Sequence, residues 1–212
     1  MTMRPTKIIC VGRNYADHAK ELGNAIPDQA VLFIKPPSSL NDLESGISWN
    51  PAWGNCHYEC ELCLRIDQPL KQVTDPMQAL AAVGAVTLGL DLTLRELQEQ
   101  LKSKGQPWER AKSYDGSCVL ADWVDVKEIE DWGHVQYQFE INDQLRQSGN
   151  SANMIFDIPS LLVEINQIFS LAPGDVIMTG TPAGVAALHS GDQLKMTLKG
   201  QSQDFVWQTH VL

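Results

Sequence analysis

Apolar and polar positions alternate along most of the chain in short runs, and glycine- or proline-containing segments separate these runs. Period-two alternation and short apolar runs predict strands at 7–11, 31–35, 57–66, 85–90, 135–141, 145–147, 176–178, 193–198 and 205–211. Helical periodicity and end signals predict helices at 16–22, 75–82, 92–104 and 158–169, the first of them ended by Gly23. The polar segment 38–56 is predicted to be mainly loop. Strands thus dominate a few peripheral helices, which is typical of the α+β class.

The strand predicted at 57–66 places two carboxylates on one face. Glu59 and Glu61 are two residues apart, so their side chains point the same way from Cα atoms about 6.5 Å apart. If their oxygens approach to about 3 Å, the repulsion is roughly 5 kcal/mol at an effective dielectric constant near 20, and the pair needs a proton or a cation. Asp91, where a strand meets a helix, is the candidate third carboxylate. An all-oxygen site of this kind suits Mg²⁺, Mn²⁺ or Ca²⁺.

Two other interpretations of these carboxylates stay open. Glu59 and Glu61 also fit the solvent-exposed face of an amphipathic strand, and Asp91 fits the N-cap of the helix that follows it. The same helix carries a polar row beside its leucines, because Asp91, Arg95 and Gln98 stand at i, i+4 and i+7. A helix that is simply exposed has no need to align them at the border of the buried face, so we expect a cleft there.

Two further groups of side chains are candidates for catalysis. His18 and Glu21 are three residues apart on a predicted helix, so the carboxylate can orient the imidazole as a general base. Lys112 is a candidate cation beside a developing oxyanion. The alternative for all three is a solvated surface. The loop at 179–184 can present backbone N–H groups to an anion, but no Gly-Lys-Ser/Thr follows it, as a phosphate loop requires.

Composition and charge limit the class of partner. The chain has 16 Lys and Arg against 26 Asp and Glu, a net charge of −10, and no cluster of basic residues. We therefore expect neither a nucleic acid nor an anionic membrane as a partner. The most apolar stretch, 79–90, is shorter than the roughly 20 residues of a spanning helix, and the first residues lack a signal-peptide core. No linker or repeat divides the chain, so we expect a single domain, 1–212, in the cytoplasm.

The five cysteines allow a rival metal site. They stand at 10, 56, 60, 63 and 118, an odd number that favours reduced thiols. Cys60 and Cys63 form a C-x-x-C with Cys56 and His57 just before it, which leaves a structural, non-catalytic zinc protein as an alternative. Zinc sites of this type need a turn between the two thiols, whereas in a strand Cys60 and Cys63 face opposite ways.

Together these pieces resemble the fumarylacetoacetate hydrolase family, and in particular its short single-domain branch that acts on acylpyruvates and oxaloacetate. The resemblance spans nearly the whole chain in the family's order. It rests on the segments CVGRNYADH (10–18), VLFIKP (31–36), HYECEL (57–62), LDLTLR (90–95), GQPW (105–108), AKS (111–113), MIF (154–156) and PGDVIMTGTPAGV (173–185).

The resemblance implies a mixed β-sheet roll, a homodimer, and one Mg²⁺ or Mn²⁺ per chain held by Glu59, Glu61 and Asp91. It also implies that His18 and Glu21 form a dyad on a lid helix. Contacts to the substrate's carboxylate and keto oxygens are implied for Arg13, Arg95, Gln98, Lys112 and Thr181. Five positions depart from the family pattern, namely Cys63, Arg65, Asp67, Glu96 and Val119, and none of them is an implied ligand.

The chemistry expected from this resemblance starts from a small 2-keto acid with a second carbonyl group. The metal stabilises an enolate, with Lys112 adding positive charge. With an acylpyruvate, the His18–Glu21 dyad activates water and pyruvate is released. With oxaloacetate, the enolate forms by decarboxylation or is reprotonated, which is keto–enol tautomerisation. An isomerase or decarboxylase of unsaturated keto-dicarboxylates in aromatic catabolism is the alternative within the family.

Overall fold

The computed structural model describes residues 4–21 and 27–212, and strands dominate this part of the chain, as predicted. The strands are β1 (Ile8–Gly12), β2 (Val31–Lys35), β3 (Leu40–Asp42), β4 (Cys56–Tyr58), β5 (Cys60–Ile66), β6 (Val83–Asp91), β7 (Thr93–Leu94), β8 (Cys118–Leu120), β9 (Val124–Asp125), β10 (Gln136–Ile141), β11 (Gln144–Asn150), β12 (Val176–Met178), β13 (Ala186–Ala187), β14 (Gln193–Lys199) and β15 (Asp204–His210). The helices are α1 (Ala16–Glu21), α2 (Pro76–Leu80), α3 (Arg95–Ser103), α4 (Glu109–Lys112) and α5 (Ile158–Ile168).

A mixed sheet forms the centre of the described structure. Its strand order is β2-β1-β12-β5-β6-β8-β3, and β9 pairs with β6 off this path. The pairs β1/β12 and β3/β8 are parallel, and the other pairs of this sheet are antiparallel. A four-stranded antiparallel sheet has the order β11-β10-β14-β15, and β13, β4 and β7 form a third, short sheet. The predicted α+β class with a mixed sheet is therefore confirmed.

The central strand β5 separates two buried layers. Cys60, Leu62, Leu64 and Ile66 belong to the main core, which also contains the inner residues of β10, β14 and α5. Cys63 faces the other way, into a smaller cluster with Cys10 and Cys118 among others. Because side chains alternate along a strand, Glu61 lies on the same face as Cys63. Glu61, one of the three candidate metal ligands, thus stands on the face opposite the main core.

Three predicted boundaries were wrong or fall outside the described residues. The helix predicted at 92–104 begins at Arg95, because Thr93–Leu94 pairs with β4 as a strand. Segment 38–56 is not simply loop, since it contains β3, which pairs in parallel with β8, and three short 3₁₀ turns. The first helix is described as Ala16–Glu21, and the predicted end at Leu22 and Gly23 lies outside the described residues.

A buried aspartate closes the sheet at the start of β12, at the other end from the functional carboxylates. Asp175 accepts hydrogen bonds at Oδ1 from the backbone N–H and hydroxyl of Thr6 and from the N–H of Lys7. Its Oδ2 accepts from the Lys7 ammonium and the Ala172 N–H. These five donors lie 2.6 to 3.1 Å away and tie the N-terminal segment to β12.

The helices of the described ranges are all shorter or more polar than a membrane-crossing helix has to be.

Candidate active site

Three buried carboxylates converge where β5 and β6 meet the short sheet. Glu59 lies between β4 and β5, and its carbonyl accepts the Asp91 N–H at 2.9 Å. Glu61 pairs with Gly89 on β6, and Asp91, two residues further along β6, shares the face of Gly89. One oxygen from each of Glu59, Glu61 and Asp91 lies within 4.8 Å of the others. At most 5% of any of the three residues is exposed, so they are neither a solvated strand face nor, for Asp91, a helix cap, since α3 begins after Leu94.

Three cations neutralise these carboxylates. The Lys112 ammonium bridges Glu59 Oε2 at 2.7 Å and Asp91 Oδ2 at 2.6 Å. Lys35, at the end of β2, lies 2.8 Å from Asp91 Oδ1, and Arg95 donates to Glu59 Oε1. Lys35 and Lys112 are themselves buried, and Lys35 also donates to the Lys112 carbonyl. Three formal negative charges therefore face three formal positive charges.

Burial and neighbouring charges shift the pKa values of the cluster in opposite directions. Burial and the carboxylates of Asp91 and Glu59 raise the pKa of Glu61 well above its usual value. Burial alone would also raise the pKa of Glu59, but Lys112 and Arg95 outweigh it and hold that pKa below the ordinary range. Burial disfavours the charged form of Lys112, yet Asp91 and Glu59 raise its pKa. The neighbouring carboxylates therefore favour the ammonium form of Lys112.

The donor set fits a hard divalent cation. Carboxylate oxygens are what Mg²⁺ and Mn²⁺ prefer. Within the described residues the Gly180 N–H, at 2.8 Å, supplies the one hydrogen bond that the Glu61 carboxylate accepts. Asp91 Oδ1 has no hydrogen-bond donor in good geometry among the described residues, although the charge of Lys35 is close. Both carboxylates thus keep lone pairs that a metal can use.

The start of α3 supplies a polar wall to the site. Arg95 donates from Nη1 to Gln98 Oε1 at 2.7 Å, so the two side chains form one unit that ends on Glu59. Arg95 Nε is buried and has no hydrogen-bond partner in the described part of the chain. Asp91 is not on this helix, so the predicted i, i+4, i+7 row was wrong in its first member. Asp91 ends β6, and the short strand β7 lies between it and the start of α3.

His18 and Glu21 lie together on α1. The distance from His18 Nδ1 to Glu21 Oε2 is 3.3 Å, and His18 is only 4% exposed. The Gly184 N–H donates to both Glu21 oxygens at 3.1 and 3.2 Å, which ties α1 to the loop after β12. A carboxylate on Nδ1 leaves Nε2 of the imidazole for a ligand.

Arg13 occupies a strained turn that Asn14 holds in place. The φ angle of Arg13 is 61°, in the left-handed region that few residues other than glycine adopt. The buried Asn14 side chain donates to the carbonyls of Phe156 and Thr179 and accepts the Phe156 N–H. Gly180, with φ of 101°, passes so close that a Cβ there would lie 2.8 Å from the Cβ of Asn14. This packing fixes the backbone conformation of Arg13 and the position of the Gly180 N–H, which donates to Glu61.

One cleft joins these groups. Four of the five residues predicted to contact substrate line it, namely Arg13, Arg95, Gln98 and Thr181. His18, Lys112, Glu59 and Glu61 line it as well. The cleft is narrow, with a cavity volume of about 40 Å³. Asp91 and Glu21 are outside the lining and contact it through Lys112 and His18.

Comparison with known proteins explains this arrangement. The family model described as fumarylacetoacetate (FAA) hydrolase C-terminal matches residues 7–204. The chain belongs to the fumarylacetoacetate hydrolase family. The sequence-based predictions of the family, of its strand-dominated fold and of an enzyme are therefore confirmed.

Members of the fumarylacetoacetate hydrolase family with named activities are similar over almost their full length. The oxaloacetate tautomerase of Escherichia coli (strain K12) is 41% identical over 93% of this chain and 90% of its own. The mitochondrial oxaloacetate decarboxylase of Dictyostelium discoideum is 38% identical over 93% and 91%. The fumarylpyruvate hydrolase of Pseudomonas aeruginosa, solved in complex with Mn²⁺ and pyruvate, superposes with a TM-score of 0.87 at 27% identity, covering 97% of this chain and 89% of that one.

The zinc alternative has no geometric support within this family fold. Cys60 and Cys63 lie in different buried clusters on opposite faces of β5. Burial raises the pKa of Cys56 to about 11 and that of Cys118 to about 12, and it also raises the pKa values of Cys10, Cys60 and Cys63, so burial favours the neutral thiols. Among the described residues, Glu59, Glu61 and Asp91 form the group of side chains whose ligand atoms lie close enough together to hold a metal ion.

Sequence analysis missed five residues of the site. Lys35 and Asn14 are buried and position Asp91 and Arg13, while Phe33, Lys102 and Trp108 line the cleft. Lys35 is the sole lysine at the end of an apolar strand. That position is the one feature of the local sequence that could have indicated a role in the site. Lys102 follows Arg95 and Gln98 at i+7 and i+4, a spacing that could have extended the predicted polar row.

Proposed function

We propose that this protein is a Mg²⁺- or Mn²⁺-dependent enzyme that interconverts the keto and enol forms of oxaloacetate or a closely related 2-keto acid with a second carbonyl group. The observation that carries the proposal is the cluster of Glu59, Glu61 and Asp91 in the cleft that also holds His18 and Lys112. The oxaloacetate tautomerase that is 41% identical to this chain supports the choice of reaction.

The formal charges of the site favour a dianion. Glu59, Glu61 and Asp91 are balanced by Lys35, Lys112 and Arg95, so a divalent cation adds an excess of two positive charges. Arg13 lines the same cleft and pairs with no carboxylate among the described residues, which adds one more. A dicarboxylic keto acid restores neutrality better than a monocarboxylic one does, because a buried excess charge is costly.

Each catalytic side chain has a specific part in the proposed reaction. When bound by Glu59, Glu61 and Asp91, the divalent cation supplies Lewis-acid stabilisation of negative charge on the substrate's oxygens. His18, oriented by Glu21, accepts the proton that leaves the carbon between the two carbonyls, and a proton from solvent water completes the enol hydroxyl; in the reverse direction the hydroxyl proton returns to solvent and His18 protonates the carbon. The Lys112 ammonium donates toward the keto oxygen as negative charge develops there. Arg13, Arg95, Gln98 and Thr181 orient the carboxylate.

The decisive experiment measures the enol-to-keto conversion of oxaloacetate by its ultraviolet absorbance, with Mg²⁺, with Mn²⁺ and after chelation. We expect activity only with metal, and a loss of at least about a hundredfold in the His18→Ala variant, because general acid–base catalysis contributes that much. The metal affinity of this variant should be unchanged, since His18 is not a proposed ligand.

The matched control is His134→Ala. His134 pairs with Asp131 at i, i+3, as His18 does with Glu21, but both residues of that pair are exposed. This variant should keep full activity. Loss of bound metal in His18→Ala, or full activity in that variant, would contradict the role proposed for the histidine.

Hydrolysis or decarboxylation is the second candidate. The fumarylpyruvate hydrolase from Pseudomonas aeruginosa and the oxaloacetate decarboxylase from Dictyostelium discoideum share this fold or sequence. In hydrolysis, His18 would instead take a proton from the water that attacks the distal carbonyl. A panel of oxaloacetate, acetylpyruvate and fumarylpyruvate, followed by release of pyruvate and carbon dioxide, ranks the three reactions. An unsaturated keto-dicarboxylate tests the alternative isomerase activity.

We also propose a homodimer of single-domain chains in a reducing compartment, the cytoplasm. The homodimer and the single domain rest on the family resemblance, and the compartment on the five free cysteines. Light scattering after gel filtration tests the dimer, and cell fractionation tests the location.

A further inference from the structure

Lys102 is a cation in the wall of the cleft that has no part in the chemistry proposed above. It stands on α3 seven residues after Arg95 and four after Gln98, so the three side chains lie on one face of the helix. A rise of 1.5 Å per residue places Lys102 about 6 Å beyond Gln98 and about 10 Å beyond Arg95 along the helix axis. The row therefore leads away from Glu59, which Arg95 contacts, toward the other end of the cleft.

Lys102 is also free to exchange its partner. Its ammonium lies 2.8 Å from Glu99 Oε1, but the Glu99 side chain is 56% exposed. Exposed ion pairs at i, i+3 stabilise a protein only slightly. Lys112 and Arg95, by contrast, are held by buried carboxylates. An anionic ligand in the cleft can therefore replace Glu99 as the partner of Lys102 at a small cost in free energy.

The wall beside this row is aromatic. Phe33 and Trp108 both line the cleft, with ring centroids 5.9 Å apart, and the Lys112 ammonium lies 5.3 Å from the Phe33 centroid. Flat apolar rings hold the carbon chain of a ligand but give its polar end no hydrogen bond. A charged group at the distal end of the ligand therefore needs another partner.

The dimensions match a short dicarboxylate. Three carbon–carbon bonds of about 1.5 Å join the carboxyl carbons of a four-carbon dicarboxylic acid, which places its ends about 4 Å apart. The step of about 6 Å from Gln98 to Lys102 along α3 is of the same order. A ligand whose first carboxylate lies near Arg95 and Gln98 directs its second toward Lys102.

We propose that Lys102 binds the distal carboxylate of a dicarboxylic 2-keto acid and makes the cleft selective for such substrates over those with an uncharged tail. The inference rests on the proposed function, because it assumes that the 2-keto acid end occupies the carboxylate cluster. It adds a specificity-determining residue at the opposite end.

A pair of unreactive ligands tests this assignment without turnover. L-malate and 2-hydroxybutyrate share four carbons and differ in a terminal carboxylate against a methyl group. Calorimetry with the Mg²⁺-loaded protein should show tighter binding of malate. In Lys102→Gln, that preference should fall about tenfold while the affinity for 2-hydroxybutyrate stays the same, and Lys102→Arg should restore most of it. Lys104→Gln, at the exposed C-cap of α3, is the matched control and should change neither affinity.

Turnover gives the second readout. In Lys102→Gln, the KM for oxaloacetate should rise about tenfold with kcat little changed, while kinetics with acetylpyruvate stay the same. An unchanged malate preference, or an equal loss for both ligands, would overturn the assignment. If the protein converts no keto acid but still prefers malate, and this preference depends on Lys102, the proposed function is contradicted. The assignment of Lys102 as the partner of the distal carboxylate then still holds.

Discussion

Two groups of buried carboxylates stand at opposite ends of the central sheet, and they are satisfied in different ways. Asp175 accepts five hydrogen bonds from the backbone and side chains of three residues, Thr6, Lys7 and Ala172. Glu61 accepts one from the described residues, and its neighbours Glu59 and Asp91 are balanced by the charges of long side chains. A carboxylate that stabilises a fold is saturated with fixed donors. One that binds a ligand keeps its lone pairs available and is balanced by the charges of neighbouring cations.

The largest expected effect separates function from stability at Glu61. Glu61→Gln removes a ligand, so affinity for Mn²⁺ should fall at least about a hundredfold, more than is usual for loss of an outer partner. Loss of several kcal/mol of charge stabilisation should lower kcat/KM at least about a thousandfold. The free energy of unfolding of the metal-free protein should change by less than about 1 kcal/mol, because Gln still accepts the Gly180 N–H.

Electron paramagnetic resonance of Mn²⁺ measures the affinity, and urea denaturation measures the stability. Glu140→Gln is the control, since Glu140 pairs with Lys195 on the four-stranded sheet. Retention of Mn²⁺ affinity in Glu61→Gln would remove this residue from the metal site.

The opposite result is expected at Asp175. Asp175→Ala leaves five donors without their acceptor, including the Lys7 ammonium, and should lower the free energy of unfolding by about 3 kcal/mol. Metal affinity of the folded protein should not change. Asp204→Ala, which removes the exposed ion pair with Lys199, should cost less than about 1 kcal/mol. Equal losses in the two variants would show that the hydrogen bonds to Asp175 do not stabilise the fold.

A smaller effect is expected on the stability of the fold at low pH. Burial by itself opposes ionisation of Asp175, but the hydrogen bonds from Ala172, Lys7 and Thr6 outweigh it and hold the pKa below the usual 3.8. The stabilisation is therefore complete above the unfolded-state value and is lost as the pH falls through the folded-state pKa. The stability difference between the wild type and Asp175→Asn should shrink from pH 6 toward pH 3. Urea denaturation across this range measures it, and a difference that grows in acid would reverse the sign.

The sequence predicted those features of the fold and the site that local patterns record. Alternation on β5 placed Cys60 in the core and Glu61 on the other face, and the strand at 31–35 was predicted with its observed limits. Segment 93–94 was wrongly assigned to α3, because its leucine fits the helical spacing, whereas pairing with β4 makes it a strand. Strand β3 was missed because its partner β8 lies about 78 residues away, beyond any local pattern.

The site shows the same division. Glu59, Glu61 and Asp91 belong to short motifs, so the resemblance could name them. The local sequence around Lys35 indicates only the polar end of a strand. The burial of Lys35 against Asp91 depends on the order of strands in the sheet. Asn14 acts through hydrogen bonds to Phe156 and Thr179, which no pattern in its own segment records.

Gln147 of β11 links the carboxylate cluster to the packing of the two larger sheets. It accepts the Cys60 N–H and donates to the Thr181 hydroxyl and the Pro182 carbonyl, joining the four-stranded sheet to β5 and to the loop after β12. These partners lie 87, 34 and 35 residues away in the sequence, so each contact requires closure of a long loop. The spacing of Glu59 and Glu61, on either side of Cys60, therefore depends on docking of the two sheets as well as on β5 itself. We expect a change that separates the sheets to weaken cation binding even when all three carboxylates are intact.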